Sequence, residues 1–142
     1  DTEVETAAGQ TIPEIFAELG EAAFRDGERR VIARLLDDPP HVLATGGGAF
    51  VNDETRALIL RKGVSVWLKA DLDVLARRVA RKNNRPLLAG KDAAQVLGEL
   101  AQVRYPFYAQ ANVTVETGDT QHKAAVDAVI AAVTRYLSEN PA

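Results

Sequence analysis

Apolar positions along the chain follow two rhythms. Ile15, Phe16 and Leu19 fall at helical spacing up to Gly20, and Phe24, Val31, Ile32, Leu35 and Leu36 do so again before Pro39-Pro40. Two helices are therefore expected, over 11–20 and 21–36. The first carries Thr11 and Glu14 at capping-box spacing, with Pro13 in its first turn. The start, Asp1 to Glu5, is acidic and begins without any preceding element. The rhythm then changes: Val42-Leu43-Ala44 is a short unbroken apolar run that reads as a buried strand and stops at Gly46-Gly47-Gly48. Asn52-Asp53-Glu54 open a helix that runs to Lys62, and Gly63 punctuates it. Residues 64–68 read as another buried strand, and Asp71 caps a basic helix ending at Arg81. The stretch 82–91 has no period and reads as a loop. Asp92 opens a helix through Val96, Leu97, Leu100 and Val103 that Pro106 is expected to end, Val113–Thr117 alternates as a strand, and 124–137 forms a closing helix. Strands alternating with helices predict an α/β fold with a parallel sheet covered on both faces.

The glycine triplet is the centre of this pattern. A strand, a glycine turn and a helix in succession form the place where α/β proteins hold ligands, because glycine lets bare backbone N–H groups approach an anion or a hydroxyl. The same triplet also fits a plain tight turn under a packed helix. Twenty acidic against 17 basic residues give a net charge of −3, which speaks against a broad nucleic-acid or membrane footprint. The placing of arginines is then more telling than their number. Arg25, Arg78, Arg85 and Arg104 lie at element ends or in loops, and a guanidinium fork matches carboxylates and phosphates. There is no cysteine, hence no disulfide and no thiolate metal site, in keeping with a cytoplasmic protein. No apolar run approaches a membrane span and no signal peptide is visible. Methionine is absent, even at position 1, so a start upstream of Asp1, or processing, is expected.

Six collinear groups resemble one family: Asp1-x-Glu3-Val4-Glu5 with Ala8-Gly9, then Ile15-Phe16, then Gly20-Glu21-x-x-Phe24-Arg25-x-x-Glu28, Thr45-Gly46-Gly47-Gly48, Arg85-Pro86-Leu87-Leu88 and Arg104-x-Pro106-x-Tyr108. Their order and spacing resemble shikimate kinase over nearly the whole chain. The resemblance implies a P-loop kinase of the nucleoside-monophosphate-kinase type, which moves the γ-phosphoryl group of ATP to the 3-hydroxyl of shikimate on the route to chorismate. It implies one partial domain over 1–142, with 1–36 as a substrate-binding helical region and 82–92 as the lid loop. By the same resemblance, Asp1 corresponds to the second aspartate of an Asp-x-Asp that meets the substrate hydroxyls and is a candidate base. Arg25 and Arg104 correspond to the pair that clamps the shikimate carboxylate, and Glu28 to the residue that orients Arg25. Gly46, Gly47 and Gly48 fall where backbone donors face the substrate and the γ-phosphate. Arg85 corresponds to the lid arginine and Arg78 to the arginine that stacks on adenine. ATP and Mg2+ are the implied cofactors, shikimate and ATP the partners, and a monomer the implied state.

One departure stands out. A Walker A motif is absent: the single Gly-Lys pair, Gly90-Lys91, is followed by Asp92, and the first aspartate of the Asp-x-Asp is missing as well, so no metal ligand is assigned within the chain. The family carries both on a strand–loop–helix expected upstream of Asp1, whose strand would lie between those at 42–44 and 64–68. The chain by itself is accordingly not expected to transfer phosphate. Two alternatives stay open: another small-molecule P-loop kinase, gluconate-kinase-like, or a non-catalytic anion-binding module if the chain truly begins at Asp1.

Overall fold

The computed structural model describes residues 1–82, 93–118 and 121–141, with the backbone alone for 78–82 and 93–94. The expected lid loop, including Arg85, lies outside the described residues. The chain divides into two compact units, Asp1–Gly63 and Val64–Ala142.

The first unit is helical. Helix α1 (Thr2–Ala8) occupies the acidic start, to which residue spacing alone assigned no element, and it is closed by Gly9 in the left-handed conformation (φ 69°). Seven residues are too few to be helical alone. Tertiary contacts hold them: Val4 packs with Ile15, Phe24 and Val31 in the buried cluster of this unit, and Glu3 accepts from Arg34 at 3.4 Å. Glu5 ties α1 to the next helix by accepting from the Ile12 N–H at 2.9 Å, one of the donors that a helix start leaves without an internal partner. Helix α2 (Ile12–Leu36) begins with the capping box the sequence predicts, Glu14 N–H donating to Thr11 Oγ1 and Thr11 N–H to Glu14 Oε1. It is two helices in one line of sequence, because Gly20 at φ 85°, ψ 172° breaks it at the predicted boundary. Across the break the rings of Phe16 and Phe24 meet at 4.9 Å.

A Cβ at Gly20 would meet nothing within 4 Å, so substitution there acts purely through the backbone. Gly20→Ala is expected to cost about 1–3 kcal/mol, because L-residues rarely adopt that region. A melting temperature by circular dichroism more than a few degrees below that of the parent is the expected result; an unchanged one would show that the break can be absorbed elsewhere.

Residues 41–46 differ from expectation. They form neither helix nor strand, and Val42 is 98% exposed. An apolar run becomes a strand only when a neighbour accepts its backbone donors and acceptors, which sequence alone does not supply. The chain then enters a 3-10 turn (Gly47–Val51) and helix α3 (Asp53–Lys62), which Asn52 caps by accepting from Thr55 N–H at 3.0 Å. The bounds of α3 are those predicted.

The second unit carries the sheet. Strand β1 (Val66–Ala70) pairs in parallel with β2 (Val113–Thr117), Val66 opposite Val113 and Ala70 opposite Thr117. Between them run α4 (Leu72–Lys82) and α5 (Ala93–Tyr108), and α6 (His122–Glu139) follows. β1 begins two residues later than expected. Ser65 is engaged instead in a side-chain lock with Asn112: Ser65 N–H and Oγ donate to Asn112 Oδ1 at 2.9 and 3.0 Å, and Asn112 N–H donates to Ser65 Oγ at 2.9 Å. α5 runs on past Pro106 to Tyr108 rather than ending there. The proline sits in the last turn, where only one internal bond is forfeited. Trp67 packs against Tyr105 and Tyr108 on either side of it, at ring distances of 5.0 and 5.6 Å.

Candidate active site

Three of the residues singled out by the sequence meet in the first unit. Arg25 lies one turn beyond the Gly20 break, with its guanidinium 5.0 Å over the Phe24 ring. Arg25 Nη1 donates to Glu28 Oε1 at 2.8 Å, and Nε stands 3.8 Å from Glu21 Oε1. The Glu28 side chain is 6% exposed, against 70% for Glu21. Glu28 is therefore an internal brace and Glu21 a solvated neighbour, and the buried pair is of the kind whose disruption is felt far more than that of a surface pair. Gly48 closes the other side: a Cβ built there would lie 2.7 Å from Arg25 Cζ, closer than real contacts allow. Glycine is needed at this position for a close approach, not for a special φ.

Gly46 caps the 3-10 turn at φ −70°, ψ 156°, and its carbonyl accepts from Ala49 N–H at 3.2 Å. Gly47 and Gly48 occupy the first turn, where backbone N–H groups have no acceptor inside the helix. Gly46 and Gly47 are exposed, Gly48 half-buried and Ala49 fully buried. The site thus offers a fork of guanidinium donors beside bare backbone donors, a set suited to a carboxylate flanked by hydroxyls.

Arg56 is a member of this neighbourhood that sequence reasoning missed. Its Nη1 donates to the carbonyls of Phe50 and Val51, each at 3.2 Å, and its Nη2 to Asp53 Oδ1 at 2.6 Å. The signal available was an Asp-x-x-Arg pair directly behind the glycines, a spacing too common on helix surfaces to stand out. Arg29 was missed too: it donates to Asp26 at 2.6 Å and reaches Glu54 on α3 at 3.2 Å.

The other predicted site residues are placed differently. Asp1 is exposed at the head of α1; its carbonyl accepts from Glu5 N–H at 3.0 Å, and its carboxylate does not cap the helix. Arg104 is half-buried on α5 in the second unit. It precedes Tyr105, whose phenol is pushed above its ordinary value chiefly by burial, with Tyr108 and Asp71 adding to the effect. Arg78 falls on α4, and its side chain, like Arg85, is outside the described residues. Among the described residues no group of three or more His, Cys, Asp or Glu is arranged to hold a metal ion. No helix among them is long and apolar enough to cross a membrane.

Comparison with known proteins adds a family to this geometry. A shikimate kinase family model matches residues 1–134. Shikimate kinase of Caulobacter vibrioides is 73% identical over 133 residues, 94% of this chain and 66% of that protein, and that of Zymomonas mobilis is 54% identical over 135 residues, 95% of this chain and 77% of the relative. The chain thus spans about two thirds of the length of the Caulobacter protein. Among solved structures, a shikimate kinase from Acinetobacter baumannii in complex with shikimate superimposes with a TM-score of 0.83 at 35% identity, over all of this chain and 78% of that one. One from Bacteroides thetaiotaomicron gives 0.85 at 29% identity, over 97% and 81%. With its parallel strand pair, its glycine turn against an arginine and these relatives, the chain belongs to the shikimate kinase family.

Proposed function

We propose that the protein transfers the γ-phosphoryl group of ATP to the 3-hydroxyl of shikimate, giving shikimate 3-phosphate and ADP. The observation that carries this reading is the Arg25–Glu28–Gly48 arrangement, in a chain that resembles over its whole length a kinase solved with shikimate bound. In this reading Arg25, held by Glu28, and Arg104 grip the substrate carboxylate, while the N–H groups of Gly47 and Gly48, with Gly46 beside them, meet its hydroxyls. Asp1 orients the 3-hydroxyl and accepts its proton as the oxygen attacks the γ-phosphorus and the bond to the β-phosphate oxygen breaks. Arg85 neutralises charge on the transferring group, and Arg78 lies against the adenine. Mg2+ accompanies ATP in kinases of this kind. Among the described residues no three His, Cys, Asp or Glu are grouped to hold a metal, and no step is assigned to the ion.

The protein is proposed to work as a cytoplasmic monomer on small molecules, without nucleic-acid or membrane partners; the net charge of −3 supports the first of these exclusions. The shikimate kinase relatives do not favour a gluconate-kinase-like activity. The test is a coupled ADP-release assay on the full-length protein with ATP and either shikimate or gluconate. ADP release that requires shikimate is expected. Release with gluconate instead would overturn the substrate, and shikimate binding without turnover would leave only an anion-binding module.

A further inference from the structure

We infer that Arg56 is a positioning residue for substrate binding: it holds the glycine turn in the shape in which that turn's backbone N–H groups meet the substrate. This rests on the reading of residues 46–48 as substrate donors. The 3-10 turn Gly47–Val51 is five residues long, and 3-10 segments of this length have poor internal hydrogen-bond geometry and little stability of their own. Its last carbonyls, those of Phe50 and Val51, are taken up by one side chain, Arg56 Nη1, at 3.2 Å each. That side chain is only 13% exposed, and its other terminal nitrogen is fixed by Asp53 at 2.6 Å. A planar guanidinium can serve two carbonyls and a carboxylate at once, whereas an ammonium cannot reproduce the fork.

The hold is communicated along the turn. Ala49 is fully buried, at 0% exposure, so movement of the Phe50 and Val51 carbonyls has no slack in which to dissipate before Gly48. At Gly48 the Arg25 guanidinium fills the space that a Cβ would occupy. Displacing the far end of the turn therefore moves both sets of substrate donors, the glycine N–H groups and Arg25. Arg56 itself acts through the turn and not on the substrate.

The test uses Arg56→Gln and Arg56→Lys in the full-length protein, with calorimetric Kd values for shikimate and for ATP and 15N spectra of the free protein. Arg56→Gln is expected to weaken shikimate about tenfold or more while ATP stays within about twofold, with Arg56→Lys between it and the parent, because small misplacements of positioning groups are magnified in binding. The amide signals of Gly47 and Gly48 are expected to move in the free variants while those of Gly9 and Gly20 stay. A purely structural role would lower the melting temperature and leave the ratio of the two affinities unchanged, and that result overturns the inference. Should Arg56→Gln fail to fold, Arg56→Lys carries the same comparison. If the parent protein binds no shikimate, the functional reading itself has failed; if the parent binds it and Arg56→Gln binds it equally well, only the inference has.

Discussion

Arg25→Ala is expected to raise the KM for shikimate about 100-fold, roughly 3 kcal/mol, while the KM for ATP stays within about twofold. A carboxylate gripped by a guanidinium fork loses two charge-assisted bonds when the fork is removed. The nucleotide does not depend on that grip. The substitution has a second consequence, which must be separated from the first. Glu28 is buried and its carboxylate accepts from Arg25 Nη1, so truncation strands a buried carboxylate and lowers stability. Arg25→Ala combined with Glu28→Gln removes the stranded charge. The double variant is expected to recover much of the melting temperature and none of the shikimate affinity. An unchanged KM for shikimate in the single variant would remove Arg25 from the substrate site, however the stability behaved.

Gly48→Ala is the complementary case, with large loss of function and little loss of stability. Gly48 has no left-handed φ, so alanine is acceptable to its backbone. The added Cβ would stand 2.7 Å from Arg25 Cζ and 2.8 Å from Nη1. These atoms belong to the end of a flexible side chain, which can shift aside at small cost as long as it keeps its pairing with Glu28. Where it swings is what matters. A guanidinium displaced by about an ångström no longer meets the carboxylate in line, and such misplacement can cost about 100-fold. The expected result is a shikimate affinity reduced about 10- to 100-fold at a melting temperature within a few degrees of the parent. If affinity were retained, the contact between Gly48 and Arg25 would be shown to have no part in recognition.

Much of this was legible in the sequence where the cause is local. The capping box at Thr11 and Glu14, the break at Gly20, the stop at Gly63 and the strand at Val113–Thr117 each depend on residues within a few positions of one another, and each appears where the spacing put it. The misses depend on distant partners. Residues 42–44 have the composition of a buried strand, yet a strand is a relation between two segments and no described segment takes up their backbone groups. α1 was invisible because its helicity derives from Val4 packing on α2 and not from its own seven residues. Pro106 did not end α5 because aromatic packing around it compensates a lost bond. The same division runs through the site. Arg25, Glu28 and the glycines are singled out through the family resemblance, but the contact between Gly48 and Arg25 joins positions 23 apart and had no signature. Arg56 looked like any charged residue on a helix surface.

The lock between Ser65 and Asn112 has a kinetic meaning. Its partners are 47 residues apart, and the parallel ladder beginning beside it cannot form until α4, α5 and all between them have been gathered into a closed loop. The helices of the first unit join partners less far apart, such as Glu3 and Arg34 at 31 positions, and can form earlier, whereas the strand pair must await a longer, entropically costlier closure before any of its bonds repay it. Ser65 and Asn112 bond through side chain and backbone together, so they reward that closure at its first moment and in one register, since a slip by one residue would carry Trp67 and Lys69 to the face now held by Val113 and Val115. Two small polar side chains thus bear on how quickly, and how uniquely, half of the protein assembles.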